Sequence, residues 1–172
     1  MKLVDQFLAI YEPCSLELAR QAVHEIYRNA LDYQGFLPIS AQGYENHYRQ
    51  EELIHKNSIG ETFRSKGEVQ VSELLLNQKV QYVYEPKLHL PDGTIYPDFE
   101  VRLPGAPQSK YIEYCGMLED DRYLERTMKK IRSYLKSGKK LGRDVLFFFD
   151  DGDNGMDLQI MRRDLESFLG LA

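Results

Sequence analysis

The sequence predicts an α/β domain, an α+β sandwich in which a mixed four-stranded sheet is flanked by helices, preceded by an N-terminal helical extension. Three observations carry this. A Tyr- and Val-rich segment over 81–90 and a returning strand over 94–103 flank Asp92-Gly93, a strong hairpin signal. The run KYIEY at 110–114 and the fully apolar VLFFF at 145–149 are separated by a helical stretch, so the last strand returns after a crossover. Finally, 172 residues with 42% hydrophobic and 28% charged content suit one domain that buries a core, with an added terminal element. The boundary falls between an extension over 1–62 and a core over 63–172 that includes a C-terminal helix.

In the extension, Ser15 can cap a helix whose face is made by Leu16, Leu18, Ala19, Ala22, Val23, Ile26, Ala30 and Leu31. Gly35 and Pro38 end that pattern, and residues 39–62 read as loop with a short helix. SKGEVQVSELLLNQ at 65–78 predicts a helix of about three turns. The two hairpin strands follow, then a reversal at Pro104-Gly105-Ala106-Pro107, and the strand over 110–114. A helix over 120–137 stops at Gly138, with Leu124, Met128, Ile131 and Leu135 at the spacing of a buried stripe. After the strand at 145–149 come an acidic turn over 150–155 and a helix over 156–169. The first three strands are expected as an antiparallel meander.

Several function classes are set aside at once. No apolar run approaches the length of a membrane-spanning helix, and Asp5 interrupts the short apolar N-terminus, so neither membrane span nor signal peptide is expected. Cys14 and Cys115 are far apart and read as free thiols of a cytoplasmic chain. His24, His47, His55 and His89 lack metal-ligand spacing, and the 150–155 turn lacks the EF-hand ligand order. No P-loop, dinucleotide fingerprint or GxSxG is present. The net charge of −5 conceals an asymmetry, because residues 122–143 hold nine Lys or Arg against the single acid Glu125. Such a basic stripe on an acidic body is either an electrostatic footprint for phosphate or a solvated helix face.

Three acids stand out. Alternation puts Asp98, after Pro97, on one strand face with Tyr96 and Glu100. Proline donates no ladder hydrogen bond, so the strand bends there. Glu113 lies in the apolar run YIEYCGM, where an acid is costly unless paired or metal-bound. Glu68 sits in the first turn of the 65–78 helix, bordering its inward face. Each has a plainer reading: a solvent-facing strand acid for Asp98, an edge-strand acid for Glu113, and a first-turn acid favoured by the helix dipole for Glu68. Neighbouring strands bring Asp98 and Glu113 together, and two close carboxylates repel unless a cation lies between them. On the 120–137 helix, Tyr123, Thr127, Lys130 and Tyr134 border the apolar stripe, so Lys130 can reach inward. Arg122, Arg126, Lys129 and Lys136 fall on the outward side.

Over residues 65–149 the chain resembles the PD-(D/E)xK nuclease superfamily, with its restriction-endonuclease-like fold. Glu68 in SKGE, Pro97-Asp98, Glu113 in YIEYCG, and the Tyr123, Lys130, Tyr134 pattern carry the resemblance. It implies a core of helix, three strands, helix and strand. It also implies a Mg²⁺ site for which Mn²⁺ can substitute, built on Asp98 and Glu113 with Glu68 as accessory acid, and DNA hydrolysis as the commonest activity, with RNA left open as a substrate. The family's usual lysine two residues after the second acid is Cys115 here. Some members resembled by this chain carry that lysine on the following helix, which points to Lys130, with Lys66 as a substitute. The expectation is therefore a Mg-dependent endodeoxyribonuclease with catalytic Glu68, Asp98, Glu113 and Lys130, contacting DNA through Arg122, Arg126, Lys129 and Lys136. The alternative is a catalytically degenerate DNA-binding or assembly module of that fold. A homodimer or a larger protein complex is compatible with either.

Overall fold

A computed structural model describes residues 50–150 and 155–171. The expected helix over 15–31, with Cys14, His24, His47 and the rest of the extension up to residue 49, lies outside the described residues, as does most of the acidic turn.

The described part of the extension opens with a 3-10 turn, Gln50–Glu52, and a short hairpin of β1 (His55–Lys56) and β2 (Thr62–Phe63). Phe63 is buried in the main core and Leu53 rests against it. Helix α1 (Lys66–Asn77) starts where the Ser65 hydroxyl accepts the Glu68 N–H at 3.1 Å. The Glu68 carboxylate reaches back to the Arg64 N–H at 3.0 Å, a reciprocal cap that satisfies donors left open at a helix start. Val71, Leu74 and Leu75 are the buried face of α1.

The hairpin is in two pieces. The expected strand over 81–90 is β3 (Tyr82–Tyr84) and β4 (Leu88–Leu90), and the strand over 94–103 is β5 (Gly93–Ile95) and β6 (Phe99–Val101). Strands β4 and β5 pair as an isolated ribbon around Asp92-Gly93, while β3 and β6 join the main sheet. Pro86 and Pro97 explain the split, since neither has an N–H for a ladder. Glu85, just before Pro86, takes φ +46° and donates its N–H to the Asp98 carbonyl at 2.9 Å. This clasp turns the chain at the position of Asp98.

The main sheet has the order β3-β6-β7-β8, with β7 (Lys110–Cys115) antiparallel to β6 and parallel to β8 (Val145–Phe149). It is the mixed four-stranded sheet flanked by helices that the sequence predicts. Helix α2 (Asp121–Lys136) makes the crossover between β7 and β8, and helix α3 (Leu158–Leu169) closes the described chain. On one sheet face, α1 and α3 bury Ile112, Tyr114, Phe148, Met161 and Leu165 together with a cluster of Phe63, Tyr82, Tyr84 and Phe99. Ring centroids in that cluster lie 4.7–6.0 Å apart, within the range of favourable aromatic pairs. On the other face Tyr111, Tyr134 and Val145 form a smaller core under α2. Among the described residues no helix is long and apolar enough to cross a membrane.

Helix α2 departs from the expected pattern. Leu124, Met128 and Leu135 are 40%, 54% and 52% exposed, whereas Thr127 and Tyr134 are buried and Tyr123 and Lys130 half-buried. The apolar stripe faces outward because the surface beneath α2 carries Glu113 and Tyr111. That surface takes hydrogen-bonding side chains rather than leucines.

Candidate active site

Strand pairing sets the two central acids. Phe99 pairs with Ile112, and extending that register by one residue places Asp98 opposite Glu113. Asp98 lies just before β6, in the bend that Pro97 and the Glu85 clasp create. Its Oδ2 accepts the Tyr114 N–H at 2.6 Å, which fixes the carboxylate against β7. Glu113 is on the α2 face and 2% exposed. Neither acid is a solvated surface carboxylate.

Lys130 and Tyr134 arrive from α2 one turn apart. The Lys130 ammonium is 2.5 Å from Glu113 Oε2 and 3.9 Å from Asp98 Oδ1. The Tyr134 hydroxyl donates to Glu113 Oε1 at 2.5 Å. Both Glu113 oxygens are therefore held by named donors, while Asp98 Oδ1 accepts no hydrogen bond among the described residues. The strand acids and the helix lysine are thus brought together. Lys66 is not: it is exposed in the first turn of α1 and makes no contact with either acid among the described residues.

Glu68 approaches from the other side of the sheet. It is buried, and its Oε2 accepts the Tyr84 hydroxyl at 2.5 Å as well as the Arg64 N–H. It is near enough to Asp98 for that charge to raise it. Arg64 in turn holds Glu85 through two bonds, at 2.5 and 3.1 Å. Tyr84, Arg64 and Glu85 are the partners that sequence patterning misses. The only local signal is an acid preceding Pro86.

The electrostatics follow from burial. Burial pushes the Glu113 carboxyl up to about 7; the Lys130 ammonium opposes this and the Asp98 carboxylate adds to it. Glu68 is also raised to about 7, by burial first and by Asp98 second. Asp98 is raised by burial, against the pull of Lys130 and the Tyr114 N–H. Burial disfavours the Lys130 charge, but Glu113 and Asp98 outweigh it and hold the ammonium above its ordinary value. Cys115, two residues after Glu113, is buried, and burial pushes its thiol up to about 12. It supplies no charge at neutral pH.

Three carboxyls stand near one ammonium, with the Arg64 guanidinium also acting on Asp98, and oxygen donors of this kind suit a hard divalent cation. Among the described residues, no three His, Cys, Asp or Glu side chains are gathered as a ready-made metal group. Mg²⁺, however, commonly takes one or two carboxylates and completes its shell with water and substrate phosphate. Asp98 and Glu113 fit that demand. The outward cations Arg122, Arg126, Lys129 and Lys136 are all exposed, and Lys136 is also paired with Asp92 at 2.8 Å. No family model, curated protein or solved structure matches the chain.

Proposed function

We propose that the protein is a metal-dependent nuclease that hydrolyses DNA phosphodiester bonds. The observation that carries this is the seating of Lys130 between Glu113 and Asp98, two acids held opposite each other on adjacent strands. Asp98 and Glu113 would hold Mg²⁺ or Mn²⁺. When bound, such a cation polarises a phosphate oxygen and makes water a better nucleophile.

This chain's own residues do the rest. The Tyr114 N–H fixes one oxygen of Asp98 and leaves the other directed toward Lys130. Tyr134 orients Glu113 by occupying its far oxygen. Lys130 carries a positive charge to the place where charge builds on the phosphoryl oxygens, a contribution of about 10²–10³ in rate for a well-placed donor. Glu68 adds negative charge next to Asp98 and closes the start of α1. The exposed Arg122, Arg126 and Lys129 give backbone affinity that falls steeply with salt.

The test is cleavage of plasmid and short linear DNA with Mg²⁺, Mn²⁺ or EDTA, with Asp98→Ala beside the wild type. Metal-dependent cutting that Asp98→Ala abolishes, with DNA binding kept, supports the proposal; cutting retained by Asp98→Ala refutes the site. A second reading is a DNA-binding module on the same scaffold. It is favoured by the lack of a three-acid metal group among the described residues and by a lysine already satisfying Glu113. DNA binding without cutting in any metal selects it.

A further inference from the structure

Strand β8 ends the order of the main sheet, and among the described residues no strand pairs with its outer side. The ladder fixes which of its amides face outward. The Tyr111 N–H donates to the Asp144 carbonyl at one end, and the Asp150 N–H to the Cys115 carbonyl at the other, both at 2.9 Å. In a parallel pair this bonds residues 146 and 148 to β7 and turns the N–H and C=O of Val145, Phe147 and Phe149 outward. Val145 is closed off by the 140–142 turn: its N–H donates to the Lys140 carbonyl, and its carbonyl accepts the Gly142 N–H. The outward amides of Phe147 and Phe149 have no such partner among the described residues. Edges left open usually carry a lysine, a proline or a bulge, whereas VLFFF has neither charge nor proline and its register with β7 is unbroken.

The surface above this edge is apolar as well. Lys130 reaches Asp98 and Lys136 reaches Asp92, so that flank of α2 faces β6 and the β4–β5 ribbon. Leu124, Met128 and Ile131 are on the opposite flank, above β8, where the Phe147 and Phe149 rings stack at 5.7 Å. Met128 and Phe149 are both about half exposed. Leu135 is level with the closed start of β8 and lies outside this patch. Glu125 and Arg132 rim it, exposed and without an ion pair among the described residues.

We propose that the outer edge of β8 and this flank of α2 bind a second copy of the chain, about a two-fold axis through Phe148. With Phe148 opposite its own counterpart, Phe147 of each copy pairs antiparallel with Phe149 of the other. Every N–H and C=O left open on the two edges is then satisfied. The same patch serves both copies, as a two-fold contact requires. The Phe147 and Phe149 rings of both copies and the two Met128 side chains meet on one face of a continuous sheet. The two α2 helices run antiparallel across the axis, which sets Glu125 of each copy beside Arg132 of the other. Edge register and charge pattern thus both complement themselves, which selects a second copy over an unrelated partner. The flank carrying Lys130 points away from the axis, so the candidate site stays uncovered and the inference does not depend on the nuclease reading.

Sedimentation velocity of the full chain over a concentration series tests this. Wild type should show a monomer–dimer equilibrium. Phe149→Lys places a charge on the edge and should raise the dimer dissociation constant roughly tenfold or more. Glu125→Arg and Arg132→Glu each set like charges across the axis and should weaken the dimer about fivefold, while the double swap recovers most of the loss. All three side chains are exposed, and thermal melts confirm that each variant folds. Hydrogen exchange reads the edge itself: the Phe147 and Phe149 amides should exchange more slowly as dimer forms. A chain still monomeric at about 100 μM, where any micromolar dimer is formed, overturns the inference. So does a dimer that Phe149→Lys leaves intact, or a double swap that recovers nothing.

Discussion

Removing divalent metal should leave a protein whose stability falls as pH rises through neutrality, and the size of that fall follows from two buried carboxyls. Glu113 is held at about 7 and Glu68 at about 7, against an ordinary value of 4.5 for each. Between those two values the folded chain binds more protons than the unfolded chain, so the slope of stability against pH is negative. The fall begins near pH 4.5 and levels off above pH 7. Each carboxyl accounts for about 3 kcal/mol. For a chain of this size that is about 6–12 °C in melting temperature per carboxyl.

The assay is thermal unfolding in EDTA between pH 5 and pH 8, for wild type and Glu113→Gln. The glutamine keeps the shape and the contact with Tyr134 but does not titrate, so the variant should lose about half of the slope. Mg²⁺ should restore stability mainly at the alkaline end, because the carboxylates must be deprotonated to bind it. A wild-type melting temperature in EDTA that is flat or rises over this window refutes a burial-raised proton affinity of these carboxyls. A slope unchanged in Glu113→Gln shows that other groups produce it.

Lys130→Ala should reduce metal-dependent cleavage by about 10²–10³. Its destabilisation should be larger at pH 8 than at pH 6, since at the lower pH Glu113 no longer needs its cation; cleavage assays and melts at both values check this. Gly67→Ala would set a methyl 2.0 Å from the Tyr114 ring, which must move, at a cost of about 1–3 kcal/mol in a denaturant titration. Because the Tyr114 N–H holds Asp98, that variant should also lose activity beyond its loss of stability, measured well below its melting point. By contrast, Leu135→Gln should stay within about 0.5 kcal/mol of wild type, as its side chain is half in solvent, whereas the pattern-based expectation of a buried stripe demands a large loss.

Element order and sheet were legible because each rests on a local signal: Asp92-Gly93 for the hairpin, VLFFF for an inner strand, and Gly138 for the end of α2. The opposition of Asp98 and Glu113 was legible for the same reason, as two adjacent strands and one reversal fix it. The inward reach of Lys130 followed from its place on the helix. What failed was the assumption that the most apolar stripe of a helix is its buried one. That rule holds over a core, but α2 lies over Glu113, and Thr127, Lys130 and Tyr134 satisfy that carboxylate and its surroundings at the expense of Leu124, Met128 and Leu135. The break in both hairpin strands was half legible, through Pro97; its other half rests on Pro86 and the positive φ of Glu85, which an alternation pattern does not show. Partners distant in sequence, such as Tyr84 for Glu68 and Arg64 for Glu85, leave no periodic trace at all.

The same break explains why the three acids do not form one cluster. Asp98 sits where the chain leaves the sheet, pinned by the Tyr114 N–H through its carboxylate and by the Glu85 N–H through its carbonyl. From that corner it meets Glu113 on the α2 side and Glu68 on the α1 side, and it raises the proton affinity of both. Lys130 answers only the first pair. Glu68 is answered by a hydroxyl and a backbone amide, which hold its shape without neutralising it. On the α1 side the cation felt by Asp98 is the Arg64 guanidinium, which is itself bound to Glu85. Asp98 is the one acid that meets both of the others, which is why it is the residue on which the nuclease proposal is best tested.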